Sequence, residues 1–145
     1  MITRIVLAAA VAALGVTAVI AQSDPIAARK ALMKDNGAQF RLITEMAQEK
    51  QPFNLAAAKK AFTTIADSTD KAKALFPANS QTGDTAALPA IWEKKADFDA
   101  KFDQLRTAAK AADAKVKDLA TLKAEQAEFG KNCGGCHQPY RKRQS

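Results

Sequence analysis

LATLKAEQAEFGKNCGGCHQPYR, residues 119–141, sets Leu119, Leu122, Gln126, Phe129, Cys133, Cys136 and Tyr140 at alternating steps of three and four. That period puts all seven on one face of a helix. The same run contains Cys133-Gly134-Gly135-Cys136-His137, a C-x-x-C-H spacing. Two thiols so placed can bond to two vinyl groups on one edge of a porphyrin, and the adjoining imidazole can take the iron. Gly134 and Gly135 put no side chain between the cysteines, so a flat macrocycle can lie close to the backbone. The helix therefore presents its cysteines toward the core and predicts a covalently attached haem c, with His137 as an axial ligand.

Other uses of two cysteines fit less well. A structural zinc site takes four protein ligands, whereas the chain supplies two Cys and one His. A thioredoxin-like C-x-x-C belongs at a strand-to-helix junction in a βαβ pattern, and here it closes a helical run. A single disulfide leaves the adjoining His unexplained.

Working back along the chain, the apolar residues keep helical spacing. Ile91, Phe98, Phe102, Leu105, Ala109, Ala112 and Val116 predict a helix from about Ala90 to Val116. Pro77 to Pro89, with Asn79-Ser80, Gly83-Asp84 and a proline at each end, reads as a long loop. Leu55, Ala58, Phe62, Ile65 and Ala72 predict a helix from near Asn54 to Phe76. Another opens at Asp24 as N-cap with Pro25 in first position, carries Ile26, Met33, Phe40, Ile43 and Ala47, and stops before Pro52. No alternating strand pattern occurs. Four amphipathic helices with short first and third connections predict an all-α, antiparallel up-down-up-down four-helix bundle enclosing one covalently bound haem.

Arg4 followed by the uncharged apolar run Ile5 to Ile20 and small residues up to Ala21 reads as a signal peptide, residues 1–21, cleaved after Ala21. The run of about 16 residues is short for a membrane span. Residues 22–145 then form one domain, expected in the periplasm with no stable membrane span. The net charge of +7 falls to +6 when Arg4 leaves. One Trp, one Tyr and no nucleic-acid motif argue against nucleic acid as partner. An acidic periplasmic redox protein suits the charge better. The densest basic cluster, Arg141-Lys142-Arg143, reads equally as a solvated helix end and as a docking patch.

Arg29-Lys30-Ala31-Leu32-Met33-Lys34, Leu88-Pro89-Ala90-Ile91-Trp92 and Cys133 through Arg141, together with the signal peptide and four helices, resemble the class II cytochromes c: cytochrome c' and its six-coordinate, methionine-ligated relatives. The resemblance covers the whole mature chain. It implies that Arg29 approaches a haem propionate, that Met33 faces the distal side of the iron, that Arg141 borders the haem, and that dimers form through the first two helices.

The distal residue decides the mechanism. His137 is the only histidine, and once Met1 leaves, Met33 and Met46 are the remaining thioethers. Met33 lies about 13 Å along the first helix and Met46 nearly 30 Å, at 1.5 Å per residue. His137 is near the end of the antiparallel fourth helix, so the level of Met33 matches and that of Met46 does not; a gap-filling core role for Met33 is the competing reading. With Met33 bound, the protein is a soluble one-electron carrier. With iron five-coordinate, it resembles a cytochrome c' that binds nitric oxide or carbon monoxide. Peroxidase chemistry lacks a distal acid-base group, so no enzyme activity is expected.

Overall fold

The computed structural model describes residues 24–143. The expected signal peptide, residues 1–21, lies outside them. Helix α1 spans Pro25–Ala47, α2 Leu55–Lys73, α3 Ala90–Glu93, α4 Lys95–Lys115 and α5 Leu119–Tyr140. Three of the long helices start on side-chain caps. Asp24 accepts from the Ile26 N–H at 2.8 Å, and Asn54 from the Ala57 N–H at 2.9 Å. Asp118 and Thr121 form a reciprocal capping box. Pro25 occupies the first turn of α1, where no N–H is required.

Cross-helix pairs fix the direction of each neighbour. Between α2 and α4, Lys59 donates to the Asp113 carbonyl, Arg106 reaches Asp70 at 2.6 Å and Lys73 pairs with Asp103; as one number rises the other falls. Between α1 and α5, Phe40 meets Phe129, Gln126 donates to Thr44 and Lys123 pairs with Glu49. Each long helix also packs on its successor. The result is the expected antiparallel four-helix bundle, with α1 closing the ring against α5.

Two apolar clusters divide the interior. One is built on Ile43, Met46, Phe62, Ile65 and Phe129, with the Phe62 and Phe129 rings edge-on at 5.4 Å. The other holds Phe76, Ile91, Phe98, Phe102 and Tyr140. Here the Phe98 ring meets those of Phe76 at 4.7 Å, Phe102 at 5.1 Å and Tyr140 at 5.2 Å, all edge-on.

Two local readings need correction. The third helix is not continuous from Ala90 to Val116. Lys94, at φ −122° and ψ 44°, separates α3 from α4, and Val116 is an extended cap. The single turn of α3 is held elsewhere: the Trp92 indole N–H is shared between the Phe76 and Pro77 carbonyls at 3.1 Å, and Ile91 is buried. Those anchors rotate the turn off the axis that the apolar stripe alone would continue. The basic tail, moreover, is exposed at the end of α5 but is tied down as well as solvated. Arg141 is extended and bridges to Ala87. The Leu88 N–H donates to the Tyr140 carbonyl at 3.0 Å, and the Lys142 N–H to the Ala86 carbonyl at 2.8 Å. The long loop is thereby tied to the end of α5.

Candidate haem site

A cavity of about 720 Å³ lies between the two apolar clusters, within the roughly 300–1,000 Å³ usual for cofactor and ligand sites. On α5 its wall carries Phe129, Asn132, Cys133, Cys136, His137 and Tyr140, the face that alternating steps of three and four produce. On α1 it carries Arg29, Met33, Asn36, Gly37 and Phe40, again one face. Phe40 and Phe129, with ring centroids 5.6 Å apart, border the first cluster. Gly130 makes this approach possible, since a Cβ there would stand 3.2 Å from Phe40 Cζ.

Both cysteines are half-buried free thiols on the cavity wall, one helical turn apart, with no disulfide between them. Burial pushes the Cys133 thiol above its ordinary value, and that of Cys136 up to about 11. Both are held as neutral thiols. His137 follows on the same wall, with its pKa lowered by partial desolvation and then by the charge on Arg141. A neutral imidazole keeps the lone pair that a metal ligand needs. Tyr140 closes this side. Its hydroxyl donates to the Asp97 carboxylate, and that bond with burial raises the phenol to about 12. Pro139, one residue earlier, lies inside α5 and removes the helix bond to the Gly135 carbonyl.

Gly134 and Gly135 are exposed, and a Cβ on either would meet nothing within 4 Å. The protein's own packing therefore does not require them to be glycine.

Met33 is half-buried on the α1 wall, in the same cavity as Cys133, Cys136 and His137. Met46 is elsewhere: it is 1% exposed inside the first cluster, and its sulfur accepts from the Asn54 N–H at 3.4 Å. Arg29 lines the cavity and is also deeply engaged outside it. Its guanidinium donates to the Leu75 carbonyl at 3.2 Å, to Ser80 Oγ and the Ser80 carbonyl at 2.8 Å, and to Thr85 Oγ1 at 2.7 Å. It also stacks 4.8 Å from the Phe76 ring centroid and 5.8 Å from that of Trp92. Arg141, at the end of α5, also lines the cavity and is exposed. All six residues singled out in the sequence, Arg29, Met33, Cys133, Cys136, His137 and Arg141, thus border one cavity.

Sequence reasoning missed the anchoring half of this arrangement. Ser80 and Thr85 gave no signal within a polar loop. Trp92 had one: a lone tryptophan three residues after Pro89, in a segment where the loop returns to the bundle. Lys101, which also lines the cavity, looked like any lysine on the solvent face of its helix.

The fit to a porphyrin is chemical as well as spatial. Two free thiols with the correct spacing, a neutral imidazole and aromatic walls meet at a cavity of cofactor size. Comparison with known proteins agrees. The sequence profile described as Cytochrome C' matches residues 24–141. The chain belongs to the cytochrome c' family. It is 44% identical over 143 residues to a cytochrome c' of Rhodopseudomonas palustris, covering 98% of both chains. It is 32% identical over 143 residues to a cytochrome c-556 of the same organism, covering 95% of this chain and 96% of that one. A solved cytochrome c' from R. palustris superposes with a TM-score of 0.83 at 46% identity, covering 86% of this chain and all of that one. As a cytochrome c' family member the protein carries covalently attached haem c and is an electron-transfer or gas-binding haem protein. Among the described residues no helix is long and apolar enough to cross a membrane.

Proposed function

We propose that this protein is a periplasmic one-electron carrier whose haem c is bonded to Cys133 and Cys136, with His137 and Met33 as axial ligands. The observation that carries the reading is the partition of the two thioethers. Met33 lines the cavity that holds the cysteines and His137, while Met46 is enclosed in the other cluster with its sulfur already accepting a hydrogen bond.

The haem supplies a one-electron iron couple, and thioether ligation raises its potential. The protein's residues do the rest. Cys133 and Cys136 would hold the group on the last turns of α5, each thiol adding across one vinyl double bond, sulfur to one carbon and the thiol hydrogen to the other. His137 presents a neutral nitrogen from the same turn. Phe40, Phe98, Phe129 and Tyr140 line the cavity with aromatic surface, which limits reorganisation when the charge changes. Arg29 from α1 and Arg141 from the end of α5 place positive charge where propionates can be held.

The alternative is a five-coordinate cytochrome c' that binds nitric oxide or carbon monoxide. It is favoured by the 44% identity to a protein named cytochrome c'. Met33→Ala separates the two. In the carrier it converts low-spin iron to high-spin and opens it to carbon monoxide, whereas Met46→Ala leaves the spectrum unchanged. Carbon monoxide binding to the unmodified protein at the level of the Met33→Ala variant supports the gas-binding reading instead.

A further inference from the structure

Charge is distributed unevenly around the cavity. Lys34 and Lys101 line it, as does Arg141, and none of the three is in an ion pair among the described residues. Lys142 adjoins them, its ammonium donating to the carbonyl of the cavity residue Thr85 at 3.2 Å. Asp84 is the single carboxylate among the described lining residues, and Lys30 already neutralises it at 2.5 Å. Asp35 beside Lys34, and Asp97, Asp99 and Asp103 around Lys101, do not line the cavity; Asp97 accepts the Tyr140 hydroxyl, Asp99 pairs with Lys95 and Asp103 with Lys73. Elsewhere many cations face carboxylates, as Lys73 does Asp103, Arg106 does Asp70 and Lys131 does Glu128.

The same rim is where the cofactor-bearing turn reaches the surface. Within Cys133 to His137, Gly134, Gly135 and His137 are exposed. We propose that the rim formed by Lys34, Lys101 and Lys142 is the docking surface for an acidic redox protein. This rests on the electron-carrier reading. One electron leaves the ferrous protein and reduces the partner by one unit, with no atom or proton transferred. Three unneutralised lysines around the turn steer a partner carrying a carboxylate cluster to the shortest transfer distance. The same field repels a basic partner.

The test uses the haem-loaded, reduced protein and measures its second-order rate of oxidation by an acidic blue-copper protein at low and at high ionic strength. Two triple variants of equal net charge are compared: Lys34→Gln/Lys101→Gln/Lys142→Gln at the rim, and Lys50→Gln/Lys110→Gln/Lys117→Gln away from it. The proposal expects the rim triple to lose roughly tenfold or more at low salt, within the steering range, with the loss shrinking as salt rises. The remote triple should change less than twofold. Oxidation by hexacyanoferrate(III) should follow the same order, and by the tris-phenanthroline cobalt(III) cation the reverse. Equal losses in both triples would show only an effect of net charge and overturn the docking surface. So would binding to phosphatidylglycerol vesicles that the rim substitutions abolish while the copper-protein rate stands, since the rim would then serve a membrane. An optical spectrum of each variant keeps the two readings apart. High-spin, carbon monoxide-binding unmodified protein overturns the carrier reading whatever the rates, whereas low-spin protein with indifferent rates overturns the docking surface alone.

Discussion

Arg29→Met tests the anchoring of the loop. Arg29 is 4% exposed and makes four hydrogen bonds to Leu75, Ser80 and Thr85. Methionine keeps an apolar stem beside Phe76 and Trp92 but donates nothing. The Ser80 and Leu75 carbonyls then lose a charged donor, at about 1–3 kcal/mol for each buried acceptor left unsatisfied. Part of this is returned because a buried guanidinium no longer has to be desolvated, the effect that lowers its pKa. The net loss is about 3 kcal/mol, or about ten degrees in Tm for a domain of this size. Lys30→Met is the control. Its ion pair with Asp84 joins side chains that are 54% and 95% exposed, so solvent screening leaves it worth little. Thermal and urea unfolding of the haem-loaded variants, followed by circular dichroism, gives both numbers. Equal losses below about 1 kcal/mol would refute the claim that Arg29 pins residues 75–85 to α1.

Gly134→Ala and Gly135→Ala should each stabilise the protein by about 0.5–1 kcal/mol, as expected for helix-interior glycines with open space around them; denaturant midpoints measure this, and a loss at either would mean that the bound haem occupies that space. Gly130→Ala should gain less than either, because its Cβ meets Phe40 Cζ at 3.2 Å, and the near-ultraviolet signal of the phenylalanines should shift with it. Asp118 is held below the usual carboxylate value by the Thr121 backbone and hydroxyl. Its cap is therefore fully present above the unfolded pKa of about 3.9 and lost as pH falls through the lower folded value. Asp118→Asn should flatten that part of the stability profile between about pH 5 and pH 2, and an unchanged slope would remove the cap as its source. Cys136→Ser should leave one vinyl group unreacted, moving the pyridine haemochrome band to longer wavelength, whereas an unmoved band would exclude Cys136 as an attachment point.

Much of the fold was legible because helix period and punctuation agree. Asp24-Pro25, Asn54 and Asp118 sit where the caps form, and the apolar stripes of α1, α2 and α5 face inward. The break at Lys94 was not legible: residues 90–116 carry one continuous stripe, and what bends the chain is the distant pair of carbonyls at Phe76 and Pro77 that the Trp92 indole reaches. Tertiary anchoring of that kind leaves no local trace. The extended pairing of residues 140–142 with 86–88 was hidden for the same reason, since one partner read as the end of a loop and the other as the end of a helix. At the site, covalent chemistry writes its own spacing, so Cys133, Cys136 and His137 stood out. Arg29 was flagged as a propionate partner, but its load on Ser80 and Thr85 was invisible because hydroxyls in a loop carry no pattern. Lys101 resembles a solvated lysine until α4 is rotated against α5.

The axial role of Met33 is most directly tested by the near-infrared and visible spectra of the oxidised native protein at neutral pH. Low-spin bands with a methionine-to-iron charge-transfer transition, absent from Met33→Ala and retained in Met46→Ala, are the predicted result. High-spin bands without that transition would contradict it and leave the iron with His137 alone.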